Sequence, residues 1–265
     1  MSDPVPVTTL STTSSDQPEA EAKSVLAKVQ RILEAFGPDD EHLSLTEIAR
    51  RTGLAKASVH RLAQELLQWG LLERRGSSYW LGMRLFEIGQ RVPRQRILRD
   101  AARPYMEDLH HATNETVHLA VLDGLEVLYV EKVFGHGRVP SRVAGRMPLH
   151  CTATGKVFLA FGPRRLVDEV LATPLKRLTP YTVSAPGILL QELARARELG
   201  YAVENEQTRA GFMSVAIPLT GTTGVVTGAL SVTAPVYRAE VQQFAGLLNM
   251  VGRRIMKSVA ALSQG

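Results

Sequence analysis

The sequence predicts an α+β protein built in two parts. An N-terminal winged helix-turn-helix is joined by a helical linker to a larger α+β domain. Three observations lead there. Two short amphipathic helical patterns meet at Gly53 with the spacing of a helix-turn-helix pair. A strand pair around Arg75-Gly76-Ser77 follows at once. Beyond residue 115, strand patterns alternate with helical ones, and Asp123-Gly124 marks a hairpin. The implied boundaries are a disordered tail over 1–22, the winged motif over 23–82, a linker helix over 83–94 and the second domain over 95–265.

The elements follow in chain order. MSDPVPVTTLSTTSSDQPEAEA is rich in Ser, Thr and Pro and has little to bury, so it predicts disorder. In KSVLAKVQRILEAFG, Val25, Val29, Ile32, Leu33 and Phe36 recur at helical spacing, and Gly37-Pro38 stops the helix. Ser44 and Glu47 form a capping box that opens a short helix to Thr52. A longer helix covers about Ala55 to Trp69 and is closed by Gly70. A helical stretch from about Met83 to His111 is expected to break at Pro93 and Pro104. TVHLAVLDGLEVLYVEKV reads as two strands. TATGKVFLAFG, PRRLVDEVLA and GILLQELARARELG read as helices. YAVEN, FMSVAIPL and VVTGALSVTAP read as strands, and a helix from about Arg238 to Leu262 closes the chain.

Composition narrows the function classes. The 265 residues are 45% hydrophobic and 22% charged, enough for one or two buried cores. The chain's net charge is only +5, yet twelve basic and five acidic residues fall between His42 and Arg103. That concentration in one segment is the asymmetry of a nucleic-acid module. Cys151 is the one cysteine, so no intrachain disulfide forms, which fits a reducing cytoplasm. No signal peptide and no membrane-spanning stretch are expected.

Within the basic segment, Ala49, Gly53 and Val59 supply the small residue, the turn and the apolar lock of a helix-turn-helix, at offsets of four and six. With Val59 at 0° and ~100° per residue, Leu62, Ala63 and Leu66 fall within roughly 60° of it. Ala57, Arg61 and Gln64 fall on the far side, flanked by Ser58 and His60. These types suit base edges: Arg to guanine, Gln to adenine, a small apolar group to a thymine methyl. Ser44, Thr46 and Lys56 lie at helix starts, where amides and short polar side chains suit phosphate oxygens. Arg74 and Arg75 sit at the hairpin, placed as a wing for the backbone or minor groove.

These blocks together resemble the IclR family of bacterial transcriptional regulators over nearly the whole chain. LTEIARRTGLAKASVHRLAQELLQWGLLERRGSSYWLGMRLFEIG is similar to the family's winged helix-turn-helix and YxLG linker. GRMPLHCTATGKVFLA is similar to its PLHxTAxGK segment, and LTPYTV, ELARARELGYAVENEQTRAGFMSVAIPL and GALSVTAP to its later blocks, in order. The resemblance implies a GAF-like C-terminal domain that binds a small effector, often an organic or aromatic acid. It also implies homodimers, often paired into tetramers, on a pseudo-palindromic double-stranded operator. Carried over by residue, the effector pocket draws on Met147, Ala153, Thr154, Glu204, Ser214, Ser231 and Thr233. Ser231 and Thr233 are two apart on a strand and so share a face. Cys151 to Gly155 are small and open a helix whose free amides suit a carboxylate. Gln207 stands where relatives often carry a second acid, and Ser214 where several carry cysteine.

Two rival readings stay open at this point. His150-Cys151 could act as a thiol centre, or as a thiol-based enzyme of GAF type, although no second cysteine is present to resolve it. His110, His111, His118, His150 and Cys151 could gather around a metal, although their spacing is not that of a structural zinc site. The preferred reading has no catalytic residue, no metal and no cofactor.

Overall fold

The computed structural model describes residues 24–135, 139 and 141–262, with Arg94 described by its backbone alone. The expected tail, 1–22, lies outside the described residues. The chain divides between Val92 and Pro93 into two compact units.

In the first unit, α1 (Val25–Glu34), α2 (Leu45–Thr52) and α3 (Lys56–Gln68) pack on a small sheet of β1 (Leu43–Ser44), β2 (Leu72–Arg75) and β3 (Ser78–Leu81). The strand order is β1-β3-β2, with both pairings antiparallel. Ile32, Leu43, Ile48, Val59, Leu62, Leu66, Leu72 and Tyr79 make the core. Ser44 caps α2 by accepting the Glu47 amide at 3.2 Å. The return half of the expected capping box is replaced: the Glu47 carboxylate turns along the helix toward Arg51, 4.0 Å away. Gly53 ends α2 at φ +65°, a left-handed conformation that glycine adopts without strain, and so permits the turn into α3. α4 (Met83–Gly89) follows and has no buried residue.

The second unit begins with α5 (Pro93–Thr113). The expected break at Pro104 does not occur. Pro104 lies on the exposed side, while Leu98, Ala102, Met106 and Leu109 continue one buried stripe past it. That burial outweighs the ~3 kcal/mol an interior proline costs. The break at Pro93 is real, and the proline there starts the helix, where its missing N–H costs nothing. The expected linker, 83–94, thus holds α4 and the first residues of α5, and the division between the units falls inside it.

A six-stranded sheet forms the middle layer of this unit. It comprises β4 (Thr116–Asp123), β5 (Glu126–Val133), β6 (Arg146–Pro148), β7 (Ala202–Asn205), β8 (Phe212–Thr220) and β9 (Val226–Pro235), in the order β6-β5-β4-β9-β8-β7 and antiparallel throughout. α5 and α9 (Val241–Leu262) cover one face, against Val117, Leu119, Val215, Ile217, Leu230 and Val232. α6 (Ala153–Phe161), α7 (Arg164–Leu171) and α8 (Pro186–Leu199) cover the other. On that face Ala120, Ala216 and Ala229 are small, and this leaves α6 close to the strands. The result is the α+β layering the sequence predicts, in the C-terminal domain for which the resemblance implies a GAF-like fold.

Candidate nucleic-acid interface and ligand cavity

On α3 the buried stripe is Val59, Leu62, Ala63 and Leu66. Away from it Ala57, His60 and Arg61 are exposed, Ser58 and Gln64 are half-buried, and Lys56 is exposed at the helix start. Thr46 is exposed at the start of α2, and Ser44 is half-buried with its oxygen engaged in the cap. Arg61 is 61% exposed and pairs with Glu65 at 2.8 Å, one turn along the same helix. Such an exposed i,i+4 pair is worth only ~0.3–0.5 kcal/mol, so the guanidinium is free to exchange it for another acceptor.

The two wing arginines are not equivalent. Strand alternation sends them to opposite faces of the hairpin. Arg74 is paired with Tyr79 and lies over its ring at 5.8 Å, with Nε donating to the Gly76 carbonyl at 2.9 Å. Arg75 lies on the other face, 5.3 Å from the Trp80 ring and 3.3 Å from Glu73. Trp80 in turn meets the His42 ring in a tilted contact, centroids 5.1 Å apart.

In the second unit, the strand register places Glu204, Ser214 and Thr233 side by side on β7, β8 and β9. His118 pairs with Ser231 on the next row. These side chains, with Met147, Ala153 and Thr154, line a cavity of about 90 Å³. One ordered water needs ~10–15 Å³ of such space, so the cavity suits a small ligand. Seven of the nine residues expected at a pocket therefore converge: Met147, Ala153, Thr154, Glu204, Ser214, Ser231 and Thr233.

Cys151 and Gly155 do not line it. Cys151 is fully buried with Sγ 3.9 Å from the Pro148 carbonyl. A side chain at Gly155 would meet the Leu149 carbonyl oxygen at 2.3 Å, so this glycine serves close packing. The helix start is also less open than expected, because Thr152 Oγ1 already accepts the Gly155 amide at 3.0 Å.

The cavity also gathers residues the sequence did not assign to it: His118, weighed above only as a metal ligand, and Tyr129, Ser141, Thr208, Arg209 and Phe212. A bulge in β5 accounts for Tyr129. Ala120 pairs with Tyr129 but Leu119 pairs with Glu131, so one residue is extra. The shift puts Tyr129 and Lys132 on the cavity side with His118. Glu131 points instead to the α5 side, where Arg99 is 3.5 Å away. Lys132 is buried and donates to the carbonyls of Val139 at 2.8 Å and Ser141 at 2.6 Å.

Burial sets the charge states. His118 is pushed down to about 3 by desolvation, with Lys132 adding to it, so its imidazole is neutral. Burial also raises the Tyr129 phenol, against a lowering from the Thr154 hydroxyl. Glu204 is raised by burial, opposed by donors from Ser214, Gln207 and Thr208. Gln207 does not reach the cavity; its amide N–H donates to Glu204 at 3.0 Å and its side chain to Glu192 at 3.1 Å. Lys156 is buried 2.8 Å from Glu192 and ties α6 to α8.

The rival centres are not assembled. Burial drives the Cys151 thiol up to about 12, far from the thiolate a nucleophile requires. His150 is turned away to the Lys176 carbonyl at 3.0 Å. Among the described residues no three His, Cys, Asp or Glu side chains come together as a metal site. No described helix is long and apolar enough to cross a membrane.

Comparison with known proteins agrees in both units. Residues 25–76 match the family model for the IclR helix-turn-helix domain, and 90–257 that for the bacterial transcriptional regulator IclR C-terminal. The chain is 33% identical to the HTH-type transcriptional regulator KdgR of Escherichia coli (strain K12), covering 89% of this chain and 93% of that one. It is 29% identical to the p-hydroxybenzoate hydroxylase transcriptional activator of Acinetobacter baylyi, covering 82% and 83%. Among solved structures, an IclR homolog from Microbacterium hydrocarbonoxydans complexed with 4-hydroxybenzoate superposes with TM-score 0.84 at 36% identity. It covers 90% of this chain and 100% of that one.

Proposed function

The chain belongs to the IclR family of bacterial transcriptional regulators, and from that premise we propose which residues read DNA and which receive the effector. The protein is a DNA-binding regulator with an effector-binding C-terminal domain, not an enzyme. In this reading α3 enters the major groove. Arg61 and Gln64 meet base edges, with Ala57, Ser58 and His60 beside them. Ser44, Thr46 and Lys56 hold phosphates, and Arg74 and Arg75 reach from the wing. The observation that carries it is the division of α3 into a fully buried stripe and an exposed face of Arg, His and small residues.

The protein binds a pseudo-palindromic operator as a homodimer, which pairs into a homotetramer, in the cytoplasm. Half-sites then lie about 34–36 Å apart, one helical turn. Exposed Met83, Phe86 and Ile88 on α4 support subunit contact, being more apolar surface than one short helix commonly leaves to water. The effector is a small organic or aromatic acid held in the cavity around Glu204, Ser214 and Thr233, with its carboxylate toward the start of α6 at Ala153 and Thr154. Effector controls operator affinity only to the extent that its own affinity differs between the DNA-bound and free states.

The test is a gel shift on DNA upstream of the protein's own gene, repeated with a panel of small carboxylates. A shift that one compound changes is expected. No shift on any fragment contradicts the reading.

A further inference from the structure

The row of polar side chains across the cavity has a direction, and it can be worked out bond by bond. Glu204 accepts four hydrogen bonds. Oε2 takes the amides of Gln207 at 3.0 Å and Thr208 at 3.3 Å, and Oε1 takes the hydroxyls of Thr208 at 3.2 Å and Ser214 at 2.8 Å. With Glu204 ionised, the single Ser214 proton is thereby spent. Ser214 and Thr233 are 2.9 Å apart, so Thr233 must be the donor between them. With the Thr233 proton spent as well, the His118 nitrogen facing it at 3.5 Å, Nδ1, must carry the hydrogen. The other nitrogen, Nε2, is then bare and accepts from Ser141 at 2.6 Å. Every proton in the row points toward Glu204.

What remains open to a ligand on this wall is lone pairs, one each on Ser214 and Thr233, beside a carboxylate. Such a wall repels a second carboxylate and leaves its acceptors unpaired against an apolar group. A ligand that carries a hydroxyl satisfies it. We infer that the cavity selects hydroxylated carboxylic acids, with the hydroxyl against Ser214 and Thr233 and the carboxylate held away from Glu204. The inference rests on the cavity being the effector site and adds the chemistry by which that site chooses.

The experiment is calorimetric titration of the full-length protein with matched pairs of acids: 4-hydroxybenzoate against benzoate and 4-methoxybenzoate, and lactate against pyruvate. In at least one pair the hydroxylated member should bind about tenfold tighter or more, the penalty for unpaired buried acceptors. Thr233→Val, similar in shape, should cut that preference to about twofold or less, and Ser214→Ala should do the same. Thermal melts of both variants establish that they are folded. Equal affinities within every binding pair would overturn the donor rule and leave the cavity as the effector site. A preference unchanged in both folded variants would place the ligand elsewhere and overturn rule and site together. Failure of all five acids to bind would overturn the small-acid reading and the donor rule with it.

Discussion

The face of α3 and the cavity beside α6 handle polar chemistry in opposite ways. On α3, Lys56, His60 and Arg61 stand in water, and the ion pair Arg61–Glu65 is weak and exposed. In the cavity, Glu204, Ser214, Thr233 and His118 are buried and bonded to one another. The first region keeps function apart from stability. The second uses the same side chains for both, because a buried polar group must be satisfied whether or not a ligand is present. Substitutions on α3 should therefore change DNA binding and leave folding alone, whereas substitutions in the cavity should change both the effector response and folding.

The largest effect should come from Glu204→Ala. It strips the acceptor from two backbone amides and two hydroxyls at once. A loss of about 3–5 kcal/mol in urea unfolding is expected. A loss below about 1 kcal/mol would mean the cavity is no more structural than the α3 face.

Acid comes next. His118 titrates at about 3 when folded against 6.5 as its ordinary value. Between those values the unfolded chain takes up a proton that the folded one refuses. The stability tied to neutral His118 is therefore complete above pH 6.5 and drains as pH falls from 6.5 toward 3, at up to roughly 1.4 kcal/mol per unit. Glu204, raised by burial, works with the opposite sign. The difference between wild type and His118→Gln isolates the imidazole and should flatten that slope.

On the other side of the comparison, Arg61→Ala should weaken operator binding by about 1–3 kcal/mol and relax preference at one base pair. Its melting temperature should match wild type within error. Operator selectivity that survives intact would remove Arg61 from the base-reading set. The smallest effect sharpens the wing. Arg75→Ala should weaken all sequences alike and reduce the salt slope by about one. Arg74→Ala, on the other face and tied to Gly76 and Tyr79, should differ from it. Identical salt slopes for the two would mean that the opposite faces do not matter.

The same contrast explains what could be read in advance. The α3 face is periodic, local and solvated, so Ala49, Gly53 and Val59 and the 100° rotation per residue were enough to sort its side chains. The cavity is assembled from five separated segments. Family resemblance pointed to Glu204, Ser214, Ser231 and Thr233, and the period of two agreed for the last pair. Tyr129 was hidden because a one-residue bulge changes which β5 side chains share a face with His118. A polar His118 within the apolar TVHLAVLD strand was the available signal for that wall. Gly155 and Cys151 were misplaced because small residues near a helix start suit close packing as well as they suit ligand contact. Pro104 was misread for a different reason: local proline chemistry lost to the burial of Leu98, Ala102, Met106 and Leu109.

The central claim is that an exposed face reads DNA while a buried, self-bonded cavity decides when. The most direct test is fluorescence anisotropy on a bound upstream fragment, titrated with the acid that binds best, in wild type and in Thr233→Val. The account predicts that the acid shifts DNA affinity of the wild type by about fivefold or more, that Thr233→Val binds the fragment normally without acid, and that its response to the acid is blunted. A full response in Thr233→Val, or a wild type that holds the fragment equally with and without the acid, would contradict it.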